Sequence, residues 1–313
     1  MRIVFMGTPA FAVPSFEALL SDGQEIAAAV AQPDRPRGRG LGSAAPPVAE
    51  VARRAGVRLL QPERVRDPAF IETVSAIAPE LIVVVAFGQI LPRSLLDVPP
   101  LGCINLHASL LPKYRGAAPI QWALLRGEKI TGVTTMYMNE QMDAGDILLT
   151  REVPILPDET AGALSDRLSR LGPALLVETI HGLAAGTVTG RAQDAALATL
   201  APRLQKDDGR IRWAEGAGEI LNRIRAVTPW PGAFTTLGKR HLIVWSAGPV
   251  EGESAGAAPG TVLRADARGI VVAAGDGGAV ALLELQMAGK RRLGASEFLR
   301  GTRVEAGALL GAG

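Results

Sequence analysis

The segment Leu81-Ile-Val-Val-Val-Ala86 most narrows what this chain can become. Its apolar, mostly β-branched residues offer no polar face to water. A run of that kind fits a strand covered on both sides, the situation of a strand inside a parallel sheet. It is too short to cross a bilayer, and no apolar run in the 313 residues reaches membrane-spanning length.

The surrounding text alternates in the same sense. Arg2–Met6 reads as a strand, followed by a helix with Pro14 in its first turn and Phe16, Leu19 and Leu20 on its apolar face. Ile26–Ala31, Val57–Leu60, Cys103–His107 and Val133–Met138 read as strands, and Val48–Ala55, Ala69–Ile77 and Ala117–Leu125 as helices. Asp158–Ala185 is helical by pattern, with Gly172-Pro173 expected to break it in two. Strand and helix in alternation predict a Rossmann-like, doubly wound α/β domain over residues 1–188. Small and polar residues then predict a linker over 189–204. Residues 205–313 change character: a short helix at Ile220–Val227, then strands at Phe234–Leu237, His241–Trp245, Thr261–Arg264, Ile270–Ala273 and Val280–Gln286, separated by glycine turns. Five short strands predict a small β-barrel of the oligonucleotide-binding (OB-like) type, with 252–260 as a flexible loop.

Several functions are disfavoured. Gly7-Thr8-Pro9 carries only the first glycine of a dinucleotide fingerprint, and Pro9 removes a backbone donor. No GxxxxGK[ST] segment appears. The single cysteine, Cys103, forbids an intrachain disulfide and fits a reducing cytoplasm. With three histidines and no HExxH or CxxC pair, no metal site is expected. MRIVFMGTP reads as a strand and turn, not a signal peptide. Nothing in the sequence demands a dimer, and a monomer without membrane association is expected. Residues 1–200 hold 18 Lys+Arg against 20 Asp+Glu, whereas residues 201–313 hold 15 against 11. The positive C-terminal part suits a polyanionic partner, although surface variation gives the same numbers.

Asn105 and His107 lie i, i+2 on one face of a strand, at the carboxyl end where open α/β sheets bind ligands. Spacing alone does not separate that from two polar residues capping a sheet edge. The text that follows does. Residues 107–116 read HASLLPKYRG, the chain continues AAPIQWAL, and residues 139–146 read NEQMDAGD. Together these resemble the folate-dependent formyltransferase family, whose pattern joins an Asn-x-His pair, a Ser-Leu-Leu-Pro turn and a later Asp-x-Gly-Asp loop. The resemblance implies catalysis by Asn105, His107 and Asp143. On that reading an amine attacks the formyl carbon of 10-formyltetrahydrofolate, and Asn105 and His107 are expected to stabilise the negative oxygen of a tetrahedral intermediate. His107 moves the proton, with Asp143 orienting its ring. The resemblance also implies a folate site at Phe87, Gly88, Gln89, Ile90 and Leu91 and at Ser109, Leu110, Leu111 and Pro112. On this reading no metal is needed.

For the acceptor, residues 33–42 read PDRPRGRGLG and resemble the insertion by which some family members grip an acceptor stem. That implies Arg35, Arg37 and above all Arg39 as contacts to charged initiator methionyl-tRNA, although Leu41-Gly42-Ser43 replace lysines present in some members. The C-terminal part implies further contacts at Lys206, Lys290, Arg291 and Arg292. Trp230 between prolines is expected to anchor packing. Formylation of a sugar amine, of glycinamide ribonucleotide, or hydrolysis of formylfolate would use a similar catalytic set. A non-catalytic tRNA-binding protein is the reading from another class.

Overall fold

A computed structural model describes residues 1–37, 42–250 and 256–311, with only the backbone of Pro36, Arg37, Gly42 and Ser43. Arg39 and most of the predicted 252–260 loop's first half lie outside the described residues. The chain forms two compact units, one of residues 1–119, 130–154 and 165–201, the other of residues 120–129, 155–164 and 202–313.

The strands of unit 1 are β1 (Arg2–Gly7), β2 (Glu25–Val30), β3 (Arg35–Arg37), β4 (Gly42–Ala44), β5 (Leu59–Leu60), β6 (Leu81–Val85), β7 (Cys103–His107), β8 (Ile130–Tyr137) and β9 (Ile147–Pro154). The helices in chain order are α1 (Val13–Ser21), α2 (Pro47–Arg54), α3 (Pro68–Ile77), α4 (Arg93–Leu96), α5 (Pro119–Leu125), α6 (Ala161–Ala185), α7 (Ala217–Ala226) and α8 (Ala295–Gly301). The main sheet runs β5-β2-β1-β6-β7-β8-β9, and β3 pairs only with β4. β6 is parallel to β1 and β7, as its uninterrupted apolar run requires. Beyond β7 the sheet turns antiparallel through β8 and β9. The edge strand β9 escapes prediction because Thr150-Arg151-Glu152 interrupts its apolar text, although its burial alternates from Leu149 on, as a strand with one open face requires.

Helices cover both faces. Phe70, Val74 and Ile77 of α3 and Leu95 and Leu96 of α4 pack on Val4, Met6, Ile82, Val84 and Cys103. On the opposite face, the Phe5 and Phe16 rings lie 4.9 Å apart. The predicted break at Gly172-Pro173 does not occur: α6 runs through as 25 residues with Pro173 inside it. A proline there costs about 3 kcal/mol. Burial on both sides of it outweighs that cost: Leu168, Leu175, Leu176 and Ile180 are all buried. Gly172 serves packing, since a Cβ would stand 2.5 Å from Cδ2 of Leu106.

Unit 2 carries β10 (Ala233–Leu237), β11 (Arg240–Pro249), β12 (Val262–Asp266), β13 (Gly269–Ala273), β14 (Ala279–Met287) and β15 (Leu293–Gly294). The antiparallel order is β10-β11-β14-β13-β12, with β15 against β14. The predicted strands are all present within a few residues, while β15 and α8 were not foreseen. The two outer strands are joined through residues 307–311: Gly311 N donates to Thr236 O (2.9 Å), Leu310 N to Gly260 O (2.8 Å) and Val262 N to Ala308 O (2.8 Å). That segment turns the sheet into a ring. Trp230 departs from expectation. It sits in the Thr228–Pro231 turn, which buries Thr228 but leaves Trp230 half exposed. Leu310 is 3% exposed, and Leu310→Ala should destabilise the chain by about 2–5 kcal/mol. Urea unfolding of the full chain tests this, and a midpoint equal to wild type would show that the ring does not need this residue.

Candidate active site

The parallel register of β6 and β7 stops at Val84 opposite Asn105. After Val85 the chain turns away through Ala86, which has φ 47°. His107 therefore extends past its parallel neighbour, at the crevice outside the carboxyl ends of the strands. Cys103, Asn105 and His107 share the face that the alternation predicts. Cys103 is buried in the core, and burial pushes its thiol up to about 12, so it is no nucleophile at neutral pH. Asn105 and His107 are 9% and 6% exposed.

Asp143 arrives from the loop between β8 and β9. Gly145 permits the tight return, since a Cβ there would stand 1.9 Å from Tyr137 O. Asp143 itself takes the left-handed conformation, φ 49°, one that Asp tolerates better than most residues. Its carboxylate lies between the two strand residues: Oδ1 is 3.4 Å from Asn105 Nδ2, Oδ2 is 3.6 Å from His107 Nδ1, and Gly116 N donates to Oδ2 at 2.8 Å. The three residues singled out by motif are thus brought together.

The ring of His107 has a fixed sense. Nε2 stands 2.9 Å from the carbonyl oxygen of Tyr114. A carbonyl only accepts, so Nε2 carries the hydrogen and Nδ1 is the atom left to gain or lose a proton. Nδ1 faces Asp143 at a distance longer than a hydrogen bond. The arrangement offers one mobile proton site, one amide donor and one carboxylate in a largely buried corner.

The predicted folate segments behave differently from one another. Phe87 and Leu91 are core residues. The Gln89 side chain is engaged with Val65 N and Glu63 O. Gly88, φ 89°, has open space where a Cβ would point, and Ile90 is 73% exposed. Ser109 is fully buried and donates its hydroxyl to Lys113 O. Leu111 packs with Met136 and Ile147. Leu110 and Pro112 are partly exposed. Thr134, not foreseen, holds this turn: its hydroxyl donates to Ser109 O (2.7 Å) and accepts from Leu111 N (3.2 Å). It is one of three buried threonines in β8, and the sequence does not set it apart from the other two. Gln193, also unforeseen, bonds to the Asp143 loop from the stretch expected as a linker.

Of the predicted tRNA residues, Arg35 is exposed on β3 opposite Ala44, and Arg37 stands opposite Gly42. Lys206 is exposed in a turn at Lys206–Gly209, and Lys290 is exposed after β14. Arg291 pairs with Glu297, and Arg292 with Glu284. The Arg292 guanidinium also lies 5.2 Å from the ring centroid of Trp245. Among the described residues no group of three or more His, Cys, Asp or Glu is placed to hold a metal ion, and no helix is long and apolar enough to cross a membrane.

Residues 1–180 match the family model for formyl transferase, and residues 203–303 that for the formyl transferase C-terminal domain. The methionyl-tRNA formyltransferase of Geotalea uraniireducens is 49% identical over 311 residues, 99% of this chain and 98% of that one. Among solved structures, WlaRD, a sugar 3N-formyl transferase in the presence of dTDP and 5-N-formyl-THF, superposes with a TM-score of 0.70 at 17% identity, over 93% of this chain and 99% of that one. HypX from Aquifex aeolicus in complex with tetrahydrofolic acid gives 0.65 at 18% identity over 96% of this chain, which spans about half (47%) of HypX's length. The two structural likenesses speak to fold alone.

Proposed function

Since the chain belongs to the methionyl-tRNA formyltransferases within the formyl transferase family, we propose that it moves the formyl group of 10-formyltetrahydrofolate to the α-amino group of methionine on charged initiator tRNA, with Asn105, His107 and Asp143 as its catalytic residues. The observation that carries this is the convergence of an amide, an imidazole and a carboxylate from distant parts of the chain at the end of β7. The folate carrier supplies an electrophilic formyl carbon and a leaving nitrogen. Asn105 Nδ2 has two hydrogens. One is turned to Asp143, and the other is available to the formyl oxygen as it gains negative charge. His107 Nδ1 accepts the proton lost by the attacking amine while Nε2–H stays on the Tyr114 carbonyl. Asp143 then stands beside the positive ring. His107 returns the proton to the folate nitrogen as its bond to the formyl carbon breaks and the new carbon–nitrogen bond is complete.

A flat pterin needs apolar surface and room to approach backbone. The open side of Gly88 and the exposed Ile90 fit that need, with Phe87 and Leu91 supporting them from the core and Gln89 pinning the loop. In the second segment Leu110 and Pro112 offer surface, while Ser109 and Leu111 keep the turn in shape. Residues 1–188 would hold the chemistry and 205–313 the tRNA, in a cytoplasmic monomer. Arg35, Arg37, Arg39, Lys206 and Lys290 are the phosphate contacts in this reading. Arg291 and Arg292 join them by exchanging carboxylate partners for phosphates, a small loss because exposed pairs are worth about 0–1 kcal/mol.

Incubation with labelled 10-formyltetrahydrofolate and charged initiator tRNA should yield labelled formylmethionine on the tRNA. Formate release without labelled tRNA would replace the proposal with a hydrolase. In the same assay Arg39→Ala should lower kcat/KM for tRNA by roughly 10- to 100-fold, the worth of one charged hydrogen bond, and leave folate binding intact. The opposite pattern would show the loop to be misread.

A further inference from the structure

We propose that Gln193 is a positioning residue for the reaction: it clamps the Asp143 loop to Arg115 and so fixes where the Asp143 carboxylate stands. The proposal rests on the reading of Asp143 as catalytic. Gln193 lies between the stretches matched by the two family models. Its whole hydrogen-bonding capacity is spent on the site. Nε2 donates to Asp143 O at 2.9 Å and to Gly145 O at 2.7 Å. Oε1 accepts from Arg115 Nε at 3.0 Å and from Arg115 Nη2 at 2.8 Å.

These bonds complete a ring around the catalytic groups. Arg115 is flanked by Tyr114, whose carbonyl holds His107 Nε2, and by Gly116, whose N–H holds Asp143 Oδ2. Gln193 joins that loop to the backbone of Asp143 itself, a residue held in the left-handed region against its ordinary preference. Moving the carboxylate by about 1 Å is enough to cost roughly 10²-fold in rate.

The fold around Gln193 does not depend on its side chain. The segment is sewn to unit 1 by backbone bonds on both sides: Arg191 and Ile147 exchange bonds of 2.8 and 2.9 Å, Arg115 N donates to Thr199 O at 2.8 Å, and Ala201 N donates to Arg115 O at 2.7 Å. Loss of the amide should loosen the carboxylate while leaving the segment in place.

The test is a double-mutant cycle on the full chain with charged tRNA and 10-formyltetrahydrofolate, read as kcat and as KM for each substrate. Gln193→Met keeps the shape and removes all four bonds. Gln193→Glu keeps the acceptor for Arg115 and sets oxygen against two carbonyls. Both should lower kcat by roughly 10- to 100-fold with folate KM little changed. Against an Asp143→Asn background, Gln193→Met should cause no further loss, because the group it positions is already disabled. Thermal midpoints keep the comparison to folded protein, and the coupling is read below the transition. Multiplying losses, or unchanged kcat in both Gln193 variants, would overturn the positioning role alone. Wild-type turnover in Asp143→Asn by itself would overturn the catalytic reading of Asp143 and the proposal with it.

Discussion

Turnover of His107→Ala should fall by about 10³- to 10⁴-fold, while the affinity for folate changes little. The size follows from the ring's geometry. With Nε2–H committed to the Tyr114 carbonyl, Nδ1 is the proton site facing Asp143. Proton transfer by a placed group contributes about 10²- to 10⁴-fold, and the positive ring beside the reacting oxygen adds to it. The same substitution strips the Tyr114 carbonyl of its donor, so a fall in activity could reflect a loosened loop. His107→Gln separates the two effects. Its amide can still donate to Tyr114 O but has no titrating nitrogen, and it should be as inactive as alanine. Single-turnover formylation under saturating substrates is the measurement. A rate within threefold of wild type in either variant would remove His107 from the chemistry.

Asn105→Ala should lower kcat by about 10²- to 10³-fold, the cost of losing one preorganised donor to a developing oxyanion. Folate and tRNA KM should move much less, since the bond strengthens only as charge appears on the oxygen. Asn105 is almost wholly buried and its bond to Asp143 is long, 3.4 Å, so little of its value lies in holding the carboxylate. Asn105→Asp is the sharper variant. It removes the donor and places a second carboxylate against the first, and it should be slower than alanine. If Asn105→Ala raised KM for folate and spared kcat, the residue would be a binding group and the oxygen would be stabilised elsewhere.

What could be read in advance divides along the range of the interactions. β6 was plain because five consecutive buried residues leave a local signature. Asn105 and His107 were placed on one face by the two-residue period of a strand. Asp143 was reached only through the motif around it, since Asp-Ala-Gly alone describes an ordinary turn. Contacts outside a motif leave no trace in the sequence. The Tyr114 carbonyl on His107 is a backbone atom and has no letter in the sequence. Gln193 sits in a small, polar stretch where nothing marks it as a clamp. Pro173 misled because local propensity argues for a break and tertiary burial overrules it. Trp230 departs in the other direction, since an aromatic residue suggests a core, whereas its turn buries Thr228 and leaves the ring half exposed.

Residues 307–311 leave the ribosome after every other strand of the C-terminal unit. Until they arrive, β12 presents an open edge, and so does the Thr236 end of β10, whose Phe234 end is already covered by Ile211 (N donating to Phe234 O at 2.8 Å); such an edge is the surface on which another chain's strand can zip. The growing polypeptide therefore carries exposed flanks that its own late-made segment blunts. Translation that stalls before that point should leave a product whose weakness is self-association, even though Asn105, His107 and Asp143 have long been made.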